Sequence, residues 1–128
     1  MAEASYPDDL KYHAEHDWIR VDGDTGTLGI TWYAQDSLGE IVFFDPPAVG
    51  TVIHKDEPYA EVESVKAVSD VIAPVSGEIT EVNDGLSSDP EKVNEDPYGS
   101  GWMVKVRLSD ASEVESLMDA ATYESSLS

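Results

Sequence analysis

Runs of β-branched and aromatic residues in this chain are short, closely spaced and separated by turn chemistry, which predicts a mainly β fold. They lie at Trp18–Val21, Thr27–Ile30, Ile41–Phe44, Tyr59–Ser64, Ala67–Ile72, Glu78–Val82 and Trp102–Leu108. The last is the clearest: Trp102, Val104, Val106 and Leu108 alternate with Met103, Lys105 and Arg107, the period-two pattern of a half-buried strand. Asp22-Gly23-Asp24 between the first two runs predicts a β-hairpin. Thr31 is suited to cap a short helix through Trp32, Ala34, Gln35 and Leu38, and Gly39 is suited to the left-handed residue that ends it. Trp32 and Tyr33 then form a wall beside that helix. Near the C-terminus Asp110 and Glu113 have capping-box spacing, and Val114, Leu117, Met118 and Ala121 recur at helical spacing. These predict a helix over about 111–124, packed on the sheet.

An internal echo relates two parts of the chain. Gly39-Glu40-Ile41 returns as Gly77-Glu78-Ile79, and Glu57-Pro58-Tyr59 as Asp96-Pro97-Tyr98. The similar offsets predict two halves that each contribute strands to one closed or sandwiched sheet. The 128 residues provide for one domain, 1–128. Between the halves, the segment from Glu63 to Asp70 reads as strand, turn, strand, with Lys66 at the hairpin tip.

Charge and composition exclude several function classes. With 27 Asp and Glu against 7 Lys and Arg the formal charge is -20, so phosphate-rich partners are repelled and nucleic-acid binding is excluded. The chain has no cysteine, which rules out thiolate catalysis, disulfide frameworks and Cys-ligated metal centres; any redox chemistry must come from an added group. Met1 to Leu10 includes Asp8 and Asp9 and lacks the regions of a secretory signal. The longest apolar run, Ile41–Phe44, is far short of the roughly 20 residues of a membrane helix. The expectation is a cytoplasmic protein with no membrane contact. His13, His16 and Asp17 can be written as a metal site, but the spacing is weak and no second ligand cluster supports it, so no metal is expected. His54 has no evident partner, and the pairs Asp56-Glu57 and Glu95-Asp96 read as solvated turns.

Lys66 has two readings from the residues alone. One is a solvated lysine at a strand end. The other is a carrier lysine, because a primary amine on an exposed hairpin tip can be acylated without disturbing a core. Here a resemblance enters. Glu63-Ser64-Val65-Lys66-Ala67, followed by Ser69-Asp70-Val71 and Ala73-Pro74-Val75-Ser76-Gly77-Glu78, closely resembles the lipoyl-attachment segment of glycine cleavage system H proteins. The resemblance continues through Lys11-Tyr12, His16-Asp17-Trp18, Gly29-Ile30-Thr31, Tyr33-Ala34-Gln35, Leu38-Gly39-Glu40-Ile41-Val42, Val93-Asn94-Glu95-Asp96-Pro97-Tyr98 and Gly101-Trp102. It covers nearly the whole chain.

The resemblance implies a barrel-sandwich hybrid of the lipoyl-domain type. Its core would span about 27–109, with a short helix after the first hairpin and a C-terminal helix. It implies lipoate amide-linked to Lys66, with Glu63, Ser64, Val65, Ala67, Gly50 and Gly77 forming the recognition pattern for lipoylation. The glycines would allow tight turns that close the strand pairs on each other. A cleft for the arm is implied at Asp17, Ile30, Ser37, Leu38 and Asp70, where a carboxylate suits a charged amine. Asp17 stands where the family usually has Glu, shorter by one methylene. A lipoyl-lysine of about ten bonds, at roughly 1.3 Å of advance each, reaches some 13 Å from the backbone.

By the same resemblance the arm takes the aminomethyl group of glycine from a pyridoxal-phosphate glycine decarboxylase (P protein). A folate-dependent aminomethyltransferase (T protein) then receives it, and dihydrolipoamide dehydrogenase (L protein) reoxidises the arm. A lipoate ligase or lipoyl transferase attaches the group. The carrier is not an enzyme; it tethers and raises effective concentration. Neighbouring readings are a biotin carrier, which usually flanks its lysine with methionines where this chain has Val65 and Ala67, and a lipoyl domain of a 2-oxoacid dehydrogenase complex, which typically has an acid directly before the lysine. A lipoate relay or storage role is the third.

The acids are dispersed along the chain, as at Asp22, Asp24, Glu61, Glu78, Glu81, Asp89, Glu95 and Glu115, which predicts a globally acidic surface and a halophilic, high-salt cytoplasm. At about 1 M ionic strength the Debye length is roughly 3 Å, and self-repulsion is mostly screened. The melting temperature is therefore expected to rise between low and molar salt; a flat profile in a thermal melt would contradict this origin of the charge.

Overall fold

The computed structural model describes residues 6–127. In chain order the strands are β1 (Lys11–Tyr12), β2 (Asp17–Asp22), β3 (Thr25–Ile30), β4 (Ile41–Asp45), β5 (Val52–Ile53), β6 (Pro58–Ser64), β7 (Val68–Ile72), β8 (Gly77–Val82) and β9 (Val104–Leu108). The helices are α1 (Trp32–Leu38), α2 (Gly85–Ser88), α3 (Lys92–Glu95) and α4 (Ala120–Ser126), with a 3₁₀ turn at Ala111–Ser116. One sheet has the order β1-β2-β3-β9-β8-β5 and the other β4-β6-β7, and the pairings are antiparallel. This is the mainly β barrel-sandwich hybrid that the resemblance implied.

Local chemistry sets the elements. Gly23 takes φ 65 in a two-residue turn, and Asp22 pairs with Thr25, so β2 and β3 form the predicted hairpin. Thr31 Oγ1 accepts the Ala34 N–H at 3.2 Å to start α1, and Gly39, at φ 82, donates its N–H to the Gln35 carbonyl to end it. The inward residues of both sheets, among them Ile19, Leu28, Val62, Val71, Ile79, Val104 and Val106, form the main core. A second, aromatic cluster gathers Leu10, Tyr12, Trp18, Tyr98, Ala120 and Tyr123, with Trp32 and Trp102 packed against it.

The predicted helix over 111–124 is corrected. A 3₁₀ turn ends at Ser116, Leu117 is extended, and α4 begins only at Ala120. The cause is a bridge between Tyr12 and Met118, whose amides and carbonyls exchange hydrogen bonds of 2.8 and 2.9 Å. Residues drawn into a sheet edge cannot continue a helix. The capping box is also absent in its full form. Asp110 caps the Ser112 N–H at 3.0 Å, but the Glu113 carboxylate instead accepts from Ser76 N at 2.7 Å and Ser76 Oγ at 3.1 Å. Of the internal echo, Gly39 ends α1 whereas its match Gly77 opens β8, Ile41 and Ile79 lie in strands of different sheets, and Pro58-Tyr59 opens β6 whereas Pro97-Tyr98 lies in a turn after α3. Neither match is therefore a structural one. β9 starts at Val104, two residues later than its pattern, and bulges interrupt β4 and β8.

Gly77 acts by close approach rather than by turning. It sits opposite Leu108 on β9, and a Cβ there would collide with the backbone carbonyl oxygen of Arg107. Neither partner is a flexible side chain. Gly77→Ala is expected to destabilise by about 1–3 kcal/mol through displaced backbone, measurable as a lower denaturant midpoint with unchanged m-value.

Candidate functional site

The hairpin of β6 and β7 ends at Val65-Lys66-Ala67, with Glu63 opposite Val68 as the last paired residues. Ser64 organises its tip. Its Oγ accepts from the Lys66 N–H at 3.3 Å and the Ala67 N–H at 3.1 Å, while its own N–H donates to the Ala67 carbonyl at 2.8 Å. The Val65 N–H donates to the Glu40 carbonyl at 3.0 Å, which ties the tip to the chain just after α1. Lys66 is exposed and takes part in none of the ion pairs among the described residues. Its stem runs past Gly39, where a Cβ would stand 3.6 Å from Lys66 Cε. The backbone of the tip is fixed; the amine is free.

A cleft of about 240 Å³ lies between α1 and β7. Asp17, Ile30, Ser37, Leu38 and Asp70 all line it, so the structure brings the five predicted cleft residues together. Glu63, Val65 and Ala67 are exposed around Lys66, and Ser64 is buried under the tip. Gly50, at φ 94 in the turn before β5, and Gly77 on β8 belong to the other sheet and do not join this group. The cleft also contains Glu15, His16, Tyr33 and Ser69, which sequence reasoning did not place there. His16 sits at φ 72, in the left-handed region that is uncommon for residues other than glycine, and its ring lies 4.6 Å from that of Tyr33. The turn from His13 to Asp17 that holds it is closed by the His16 N–H to His13 carbonyl bond of 2.9 Å. No periodicity in the sequence announces such a turn.

Asp17 is not the solvated acid that a position at the start of a strand permits. It is 1 % exposed, and its Oδ2 has no hydrogen-bond partner among the described residues. A buried, unpaired carboxylate oxygen requires a reason, since leaving it so costs about 1–3 kcal/mol. Burial, then the Glu15 charge, pushes the Asp17 carboxyl well above the usual carboxylate range. The Tyr59 hydroxyl is likewise buried without a partner, and its phenol is pushed up by burial and then by Asp17. His16 is held below its ordinary value by burial. A second hollow, of about 380 Å³, is edged by Asp36, Glu40, Glu91 and Glu95. Its amides are fully paired, however: Asn94 bonds Gln35, Gly39 and Ile41, and Gln35 Nε2 bonds the Trp32 carbonyl.

The three residues of the weak metal pattern diverge. His13 Nε2 meets Asp56 Oδ1 at 2.6 Å, His16 Nδ1 meets the Tyr123 hydroxyl at 2.8 Å, and Asp17 faces the cleft. Asp56 is thus a partner of His13, with φ 72, rather than a purely solvated turn acid. Among the described residues no cluster of three or more His, Asp or Glu suits a metal ion, and no helix is long and apolar enough to cross a membrane.

Because the folded-state pKa of Asp17 is raised, the native protein keeps a proton that the unfolded chain releases. Its contribution to stability is complete below about pH 3.8 and is lost as pH rises toward the folded-state value, at about 1.4 kcal/mol per pH unit within that window. Asp17→Asn removes this dependence. The melting temperature of the variant relative to wild type is expected to climb between pH 4 and pH 7, measured as paired thermal melts; a pH-independent difference would contradict a buried, protonated Asp17.

Comparison with known proteins agrees with this geometry. A model of the glycine cleavage H-protein family matches residues 10–128. The glycine cleavage system H protein of Symbiobacterium thermophilum is 52% identical over 121 residues, 94% of each chain. That of Acidobacterium capsulatum is 55% identical over 120 residues, 94% of this chain and 92% of the relative. The crystal structure of the glycine cleavage system H protein from Mycobacterium marinum superposes with a TM-score of 0.87 at 40% identity, covering 94% of this chain and 98% of that one. A fold with an exposed hairpin lysine beside a partly buried acidic cleft, and matches that run nearly end to end, lead to one assignment: this chain belongs to the glycine cleavage H-protein family.

Proposed function

We propose that residues 1–128 act as the lipoyl-bearing carrier of the glycine cleavage system, a non-catalytic subunit with lipoate amide-linked to Lys66 Nζ. The observation that carries this reading is an exposed lysine on a pinned hairpin tip whose strand continues into the Ser69 and Asp70 wall of a cleft, where a carboxylate oxygen has no partner among the described residues. These residues fit the group. When bound, lipoate supplies a disulfide that accepts the aminomethyl group of glycine and, as a dithiol, is reoxidised to complete the cycle.

The chain's own residues do the positioning. Ser64 and the Val65–Glu40 bond fix the backbone from which Lys66 projects. Glu63, Val65 and Ala67, exposed around the lysine, form the surface read by a lipoate ligase or lipoyl transferase, Ser64 shapes that surface from beneath, and Gly50 and Gly77 hold the framework. Ile30 and Leu38 keep water from the cleft, and Ser37 adds a polar contact at α1. Asp17 and Asp70 receive a cationic cargo. Arrival of an ammonium favours the ionised form of Asp17, so Asp17 releases its proton to solvent as the cation binds and its Oδ2 gains the partner it lacks.

In this reading the carrier visits glycine decarboxylase (P protein), the aminomethyltransferase (T protein) and dihydrolipoamide dehydrogenase (L protein) in a cytoplasm whose salt screens the net charge of -20. Expression in a lipoate-competent host, followed by intact mass and peptide mapping, is expected to show a lipoyl adduct on Lys66 and none in Lys66→Arg. Glycine decarboxylation with purified P protein is expected to fall to background for Lys66→Arg. A biotinyl adduct, or a bare Lys66 that still supports decarboxylation, would overturn the proposal.

A further inference from the structure

One hydroxyl joins the C-terminal helix to the cleft. Tyr123, on α4, is fully buried, and its OH lies 2.8 Å from His16 Nδ1 and 2.8 Å from Thr31 Oγ1. These partners belong to the two segments that frame one end of the cleft. His16 is the left-handed residue of the 13–17 turn, and its ring packs on Tyr33. Thr31 is the cap of α1, the helix that forms a whole cleft wall. A backbone bond from the Thr31 N–H to the His16 carbonyl, 3.0 Å, already joins the two segments. Tyr123 then holds both side chains from outside.

We propose that Tyr123 is a positioning residue for the cleft: through its hydroxyl the C-terminal helix fixes His16 and the start of α1 and so sets how well the cleft shelters what Lys66 carries. The proposal rests on the carrier reading above. Burial pushes the Tyr123 phenol up, so the group stays an O–H donor and acceptor throughout the working pH range. Thr31 Oγ1 uses an acceptor site for the Ala34 N–H, which leaves its own hydrogen for Tyr123. Tyr123 can then donate to His16 Nδ1, so a chain Thr31, Tyr123, His16 satisfies each member in one direction. The ring that supplies the hydroxyl is itself held by a stack on Tyr12, with centroids 4.8 Å apart and planes 9° apart.

Tyr12 offers a matched control. Tyr12 belongs to the same aromatic cluster, and its hydroxyl donates to the carbonyl of Pro7, which does not line the cleft, at 2.7 Å. Tyr123→Phe and Tyr12→Phe each delete one hydroxyl from one stack. Two measurements separate them: amide hydrogen exchange of the unlipoylated proteins, and retention of the one-carbon cargo by lipoylated protein. For the second, the protein is loaded with glycine and the decarboxylase, gel-filtered and followed by intact mass. Loading couples cleavage of the glycine carboxylate bond, with release of carbon dioxide, to opening of the arm's disulfide; one sulfur takes the aminomethyl carbon and the other a proton.

Tyr123→Phe is expected to speed both amide exchange at Ala34 and cargo loss by at least about fivefold, since the two buried hydrogen bonds of the hydroxyl are lost together, with Tyr12→Phe near wild type in both. If Tyr123→Phe fails to fold, His16→Asn, which tolerates the left-handed backbone, cuts the same link and is expected to act in the same direction. Wild-type retention in Tyr123→Phe, or equal losses in the two tyrosine variants, overturns the positioning role and leaves the carrier reading intact. A wild-type protein that loses cargo as fast as free lipoamide overturns the sheltering cleft itself and the positioning role with it.

Discussion

The hydrogen bond from the Val65 N–H to the Glu40 carbonyl joins the hairpin tip to the chain leaving α1, and the cleft lies between the two elements so joined. A carrier lysine has to be exposed, yet its root must be fixed relative to any shelter for its cargo. Here the requirement is met by backbone bonds at the tip, with Ser64 Oγ satisfying two amides that a tight turn leaves free. At the same end of α1, Asn94 anchors the chain around Glu40 by bonding Gln35, Gly39 and the Ile41 amide at once. α1 is only seven residues long and would not persist alone. Caps and clasps at both ends hold it as a wall.

The polar groups of the molecule divide into those that support the fold and those left waiting. Most buried polar groups are paired: Trp18 Nε1 with the Pro97 carbonyl at 3.0 Å, Thr31 with Tyr123, Gln35 with Asn94. Asp17 Oδ2 and the Tyr59 hydroxyl are not. Ionising Asp17 without a partner in a protein with a charge of -20 would be doubly unfavourable, because the surrounding field adds to the desolvation penalty, and this is why the carboxyl is pushed above its usual range. Leaving the oxygen unpaired costs about 1–3 kcal/mol, a sizeable share of a domain's net stability that a pairing cation would return. It is therefore tolerable where a cation is the visitor.

Much of the fold was legible in the sequence because the relevant physics is local. The β2–β3 turn needs Gly23 at positive φ, α1 needs Thr31 and Gly39 at its ends, and the alternation of β9 follows from the two faces of a strand. The C-terminal helix was misread for the opposite reason. Its apolar spacing is helical, but the sheet edge at Tyr12 captures Met118, and a contact between residues so far apart in the chain leaves no local mark. Glu113 shows the same competition, since Ser76 takes the carboxylate that a capping box would use.

The lysine hairpin, most of the strand order and the acid excess were legible in local patterns and composition, while the five cleft residues, scattered along the chain, came from the family resemblance. Tertiary structure alone decided that Asp17 is buried with a free oxygen, that His16 and Tyr33 join the cleft, and that Tyr123 reaches across to hold them. Burial and hydrogen-bond partnership are properties of what packs around a residue. When the partners lie as far apart in the chain as His16 and Tyr123, only the closed fold brings them together.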